Sequence, residues 1–209
     1  MTLTQITLFF GAILSVIVCA MFIHSWLDKR GIARSLRELT PLFSGGEGAV
    51  IQTHPLVYPH FSGKMGPRQI ALFFTVVKVG RQHILYVVYQ MAATPHVPLL
   101  LIRSGVYKPL VQSGDTADNM GVLLPEMDAR YQVYAASPET ARPFFEQGKI
   151  GSHLDALSEF TSLQLGPAAL VVGKPYDGLS DTLPENLLRN LHALSTLATA
   201  MERPADDGT

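Results

Sequence analysis

An α+β domain carried on a single N-terminal transmembrane helix is the fold class that the sequence predicts, and three observations predict it. Residues Ile6 to Trp26 form a long apolar run without a charged side chain. Segments rich in Val, Phe, Tyr and Ile then follow one another, as successive strands of an antiparallel sheet do. The C-terminal part mixes short strands with helices. That order describes one antiparallel-sheet domain with packed helices rather than alternating βαβ units.

The apolar run is interrupted only by Thr7, Ser15, His24 and Ser25. As a helix it spans roughly 30 Å, the thickness of a bilayer's hydrocarbon core. Thr and Ser return their hydroxyls to carbonyls one turn back and cost little there. A cleavable signal would show basic residues first, a shorter apolar core and a small-x-small site. Met1 to Gln5 carry no side-chain charge, and Asp28-Lys29-Arg30 follows the run, so a retained anchor is expected. Lys29, Arg30, Arg34 and Arg37 crowd its C-terminal end, and nothing balances them on the other side. Positive residues stay inside, so the N-terminus is expected outside and the remaining chain in the cytoplasm. Trp26 and these four cations are the candidate membrane-surface contacts. Gly11, Ser15 and Cys19 are small residues one turn apart, which allow close helix–helix approach. Cys19 is the only cysteine, so the rest of the chain has no thiol for a disulfide.

Beyond the anchor, Ile32, Leu36 and Leu39 lie about 200° around a helix from Arg30, Arg34 and Arg37. Two readings fit that amphipathic face: an interfacial helix on anionic headgroups, or a helix extension whose basic side obeys the positive-inside rule. TPLFSGGEG, Thr40 to Gly48, reads as a linker. The expected division is an anchor (1–27), a basic juxtamembrane helix and Gly-rich linker (28–48), a cytoplasmic α+β domain (49–203) and a flexible tail (204–209).

Within the domain, Ile70 to Ala93 holds Lys78, Arg81, Gln82 and His83 in its middle, too costly for a second membrane span. Its Val- and aromatic-rich halves around Gly80 predict a β-hairpin, and Val97 to Gly105 a further strand. Turn-rich SGDTADNMG separates these from the alternating strand at Tyr131, Val133 and Ala135. Ser137-Pro138-Glu139 starts a helix that Gly148 closes. A short helix with Ile150, Leu154, Leu157 and Phe160 on one side comes next, then two strands joined at Gly166-Pro167. Thr182-Leu183-Pro184-Glu185 has the form of a capping box. It opens a helix with the packing stripe Leu187, Leu188, Leu191, Leu194, Ala198 and Met201. From Asp128 onward, DARYQVYAASPETARPFF with the elements after it resembles a pattern common in small single-pass membrane-anchored bacterial proteins of unknown function. The resemblance implies an anchored, non-enzymatic bacterial protein and carries over no functional residue.

Chemistry-bearing motifs are sparse. Ala20 lies one turn before His24, as in the Ala-x-x-x-His pattern by which some membrane helices hold a tetrapyrrole; His24 is therefore the candidate pigment or haem ligand. An imidazole near the interface can equally hydrogen-bond water or headgroups. Ser152, His153 and Asp155 are helix neighbours that point different ways and cannot form a relay. Asp155 and Glu159 share a face, but a solvated acidic face explains them better than a metal. HFSGKMG has Tyr58 and Met65 where a phosphate loop needs Gly and Ser or Thr. Asp115, Asp118 and Asn119 lack the alternation of a calcium loop. No cofactor, metal or catalytic residue is therefore assigned. With 16 basic and 17 acidic residues, no broad field attracts nucleic acid. The expected partners are the lipid bilayer and other membrane-complex subunits. The leading expectation is a non-catalytic accessory subunit or scaffold of a membrane complex. The alternative is a membrane-anchored ligand sensor or enzyme whose site is assembled from distant residues.

Overall fold

The computed structural model describes residues 3–43, 48–79, 81–104, 122–124, 130–135, 137–146 and 149–202. The linker core 44–47, Gly80, the turn-rich stretch 113–121, Gly148 and the tail 204–209 lie outside the described residues.

Helix α1 runs without a break from Leu3–Leu39, about 55 Å at the usual rise. It is the one helix among the described residues long and apolar enough to cross a membrane. A short 3-10 turn, Thr40–Leu42, ends it. Pro41 explains the stop, because proline removes a backbone donor and disfavours helical geometry in the residue before it.

Among the described residues, nine strands then form one antiparallel sheet: β1 (Gly48–Ile51), β2 (His60–Met65), β3 (Arg68–Val79), β4 (Gln82–Ala92), β5 (Leu99–Arg103), β6 (Val122–Leu124), β7 (Tyr131–Ala135), β8 (Ser162–Leu165) and β9 (Ala169–Pro175). Their spatial order is β1-β2-β3-β4-β9-β8-β5-β7-β6. The expected hairpin is the β3–β4 pair, with Phe74 opposite Val87 and Leu72 opposite Tyr89. The β8–β9 hairpin also forms, closed by Gly166 N–H to Ala169 O at 2.9 Å. β9 lies between β4 and β8, and β5 between β8 and β7, so distant segments meet in the sheet.

Helices α2 (Pro138–Glu146), α3 (Lys149–Ala156) and α4 (Pro184–Met201) complete the domain. Alternation decides which strand residues meet the main core. On β4, Val87, Tyr89 and Met91 join α4's Leu187, Leu191, Leu194, Leu197 and Met201, while Tyr86 and Val88 belong to a second, smaller cluster.

Two local readings change. Thr182 does not cap α4: it is buried at the end of a 3-10 turn (Leu179–Thr182), and its hydroxyl donates to Leu179 O at 3.0 Å. Leu183 occupies the cap position without a side-chain bond, and Pro184 and Glu185 start the helix. The second concerns the amphipathic segment after the apolar run: it continues α1, as the helix-extension reading has it, and it is the interfacial reading that fails. Ile32, Leu36, Leu39 and Phe43 are all buried in the main core. The apolar stripe of residues 32–39 faces protein, and α1 is at once the apolar rod and a core helix of the domain.

Candidate membrane interface

Along the outer part of α1, Leu8, Phe9, Phe10, Ile13, Leu14, Val16, Ile17, Val18, Met21, Phe22, Ile23 and Leu27 each keep 41–70 % of their surface exposed. This apolar rod fits a membrane anchor. The change from exposed rod to buried core helix falls at Asp28 and Lys29, and the side chains there form a closed collar.

Tyr176, just after β9, donates its hydroxyl to Asp28 Oδ1 at 2.9 Å. The Tyr176 ring meets Phe74 edge-on at 5.4 Å between centroids, and Phe74 stacks on Tyr58 at 5.1 Å. Tyr58 in turn lies 4.8 Å beneath Lys29 Nζ, which also donates to Ser25 Oγ at 2.7 Å. Two adjacent opposite charges on the helix are thus each held by a tyrosine, and one phenylalanine links the two tyrosines. Burial, the bond to Asp28 and its negative charge keep the Tyr176 phenol neutral far above the ordinary tyrosine range. Burial and Asp28 push Tyr58 in the same direction.

The collar has two different flanks. One is basic: Trp26, Arg30, Ala33 and Arg37 line a groove of about 290 Å³ with Gln52, Thr53, His54 and Pro55. There the Arg30 guanidinium sits 5.1 Å from the Trp26 ring centre. The other flank is apolar: Ala20, Ile23, His24, Leu27 and Asp28 line an open groove of about 620 Å³ with Leu179. Leu179 approaches α1 at Gly31, where an added Cβ would come within 3.0 Å of Leu179 Cδ2. The turn bearing Leu179 is firmly held. Lys174 Nζ donates to Asp181 Oδ1 and Glu159 Oε2, both at 2.8 Å. Asp181 Oδ2 accepts Asp177 N–H at 2.7 Å, and Asn186 Nδ2 donates to Ser180 O at 2.8 Å.

The residues singled out from sequence separate accordingly. Trp26, Arg30 and Arg37 share the basic flank; Arg34 is exposed and pairs with Glu38 at 3.2 Å. Lys29, only 8 % exposed, turns inward to the collar. His24 and Ala20 lie together in the apolar groove. Gly11, Ser15 and Cys19 are exposed on the rod, with Ser15 Oγ donating to Gly11 O at 2.9 Å. Asp155 is paired with Arg130, and Glu159 with Lys174 and Arg189. Among the described residues no cluster of three or more His, Cys, Asp or Glu is arranged to hold a metal. A groove of about 350 Å³ between α3 and α4 brings His153 near His192, Ser195, Thr196 and Thr199. There the hydroxyls of Thr196 and Thr199 are spent on carbonyls of their own helix. Tyr58, Phe74, Tyr176 and Leu179 are the collar residues that sequence reading did not find. Their only sequence signal is aromatic or apolar character in or beside strands, which core residues share.

No family model matches the chain, and no curated protein matches it. A solved structure does. The crystal structure of the mycobacterial trehalose monomycolate transport factor A, TtfA, superposes with a TM-score of 0.54 at 11% identity, over 84% of this chain and 98% of that one. At that identity the likeness is one of fold.

Proposed function

We propose that this chain is a non-catalytic accessory factor of a membrane assembly, anchored by the part of α1 before Asp28, with its α+β domain on the cytoplasmic face. The observation that carries this reading is the continuity of α1. One helix is a bare apolar rod at one end and part of the domain core at the other. A flexible tether would leave the domain free to roam. A rigid stem instead fixes the domain's distance and orientation against whatever lies beside the anchor, as an assembly or coupling factor requires. The exposed Gly11, Ser15 and Cys19 offer that neighbour a close approach. The cations of the basic flank support the cytoplasmic orientation. The fold shared with a protein described as a transport factor supports a role accessory to membrane transport.

The test is purification of the tagged full-length protein from native membranes in mild detergent, with identification of what accompanies it. A defined, stoichiometric set of membrane proteins is expected. A monodisperse preparation free of partners would sink the accessory reading and favour a ligand-binding role for the domain.

A further inference from the structure

We infer that the Leu179 turn is a second membrane contact, seated at the acyl–headgroup boundary of the same bilayer that α1 crosses. The inference rests on the anchor reading of α1 and goes beyond it, because the contact belongs to the folded domain.

Three observations point to lipid as the occupant of the apolar groove. First, the surface is continuous with the anchor: Leu179 lines the groove with Ile23 and Leu27, the last exposed apolar residues of the rod. Second, Leu179 is 45 % exposed although its turn is pinned by the Lys174–Asp181 ion pair and by the bond from Asn186 to Ser180 O. A mobile loop could fold such a side chain away, but a braced one presents it. Third, the first charge of the helix on this flank, Asp28, receives its hydrogen bond from Tyr176 and so relies less on water. The opposite flank carries Trp26, Arg30 and Arg37, the residue types that favour anionic headgroups. With its apolar flank in the boundary and its basic flank on headgroups, the domain is fixed in rotation about α1 as well as in height.

The experiment places a nitroxide on single cysteines of the full-length protein in vesicles containing anionic lipid. Oxygen, which concentrates in the acyl region, and a water-soluble nickel chelate are compared as relaxing agents. The native Cys19 reports the anchor. In a Cys19→Ser background, Leu179→Cys and Ser180→Cys report the turn, and Thr196→Cys, exposed on α4 about 18 Å beyond Pro184, reports the aqueous surface. Greater access to oxygen than to the chelate is expected at Cys19 and at positions 179 and 180, with the reverse at 196. If Cys19 reads as lipid while 179 and 180 read like 196, the second contact is overturned and the anchor stands. If Cys19 also reads as aqueous, both fall. Ser180→Cys supplies the reading should Leu179→Cys not fold.

Discussion

Tyr176 and Asp28, 148 residues apart, are joined by a hydrogen bond of 2.9 Å at the point where α1 enters the domain. A bond to a carboxylate at a partly buried site contributes about 1.5–3 kcal/mol. Tyr176→Phe keeps the ring against Phe74 and removes only the hydroxyl. It is expected to lower unfolding stability by that amount, measured by urea denaturation in detergent micelles. Phe74→Ala removes the link between both tyrosines and is expected to cost more. Equal and negligible effects would mean that the collar holds nothing together.

The inner end of α1 separates two readings by magnitude. Leu36 is 1 % exposed within the main core, so Leu36→Ala should cost about 2–5 kcal/mol. Arg34 sits on the opposite face with its side chain 83% exposed, and Arg34→Ala should cost less than about 0.5 kcal/mol. Chemical denaturation of both variants checks this. Were residues 32–39 lying on lipid headgroups, Leu36→Ala would instead leave the domain's stability intact and loosen only its membrane contact.

How much of this was legible depends on the range of the interactions. The long apolar helix, the β3–β4 hairpin and the α4 stripe are set by local periodicity and turn chemistry, and the sequence shows them directly. The apolar stripe Ile32, Leu36, Leu39 was also visible, but periodicity says only that a face is covered, not whether lipid or protein covers it. Strands β1 and β2 escaped because Gly48, Gly63 and His60 give them little β character of their own; pairing with β3 makes them strands. Thr182 reads as a cap because the pattern is local, whereas it lies buried in a 3-10 turn whose Asp181 is paired with the distant Lys174. The collar could not be read at all. It unites α1, the segment before β2, β3 and the end of β9, and no spacing records that meeting.

Gly48 illustrates a requirement hidden in what reads as a linker. A Cβ added there would lie 2.6 Å from Phe61 Cζ, and Phe61 is fully buried beside Phe43. Gly48→Ala should therefore destabilise the domain by about 1–3 kcal/mol through overpacking. Gly48→Ala combined with Phe61→Leu, which makes room, should cost less than the sum of the two single changes. Melting curves of the three variants decide it.

Acid should act through the pair that ties the end of α4 to the sheet. Arg68 holds Glu202 by two bonds of 2.6 Å, and Glu202 Oε1 also accepts Thr94 N–H at 3.0 Å. The bond to Arg68 holds the carboxyl below the ordinary value of 4.5, against the opposing effect of burial. A depressed carboxylate stabilises the fold above its unfolded value, and that contribution is lost as pH falls through the folded value. Glu202→Gln should cost about 1–3 kcal/mol at neutral pH. The wild type should converge on the variant in urea titrations run below the ordinary glutamate range. Parallel curves at every pH would reject the assignment.

Alkali should act through the core. Tyr89 is fully buried, its ring edge-on to Phe160 at 5.2 Å, and its hydroxyl oxygen accepts Asn190 Nδ2–H at 3.2 Å. Burial pushes this phenol from the ordinary value of 10.0 up to about 12, although the bond from Asn190 favours the ionised form. The folded state therefore holds its proton after the unfolded state has released it. The associated stability is complete below pH 10 and is lost as pH rises from 10 towards 12, about 3 kcal/mol in all. Tyr58 and Tyr176 are raised as well and add to the same decline. Tyr89→Phe leaves Asn190 without its partner and lowers stability at neutral pH by about 1–3 kcal/mol. Its decline through the alkaline range should nonetheless be shallower than that of the wild type. Urea midpoints measured across this range report both effects at once, and an unchanged alkaline slope in the variant would mean that Tyr89 ionises as freely as an exposed tyrosine.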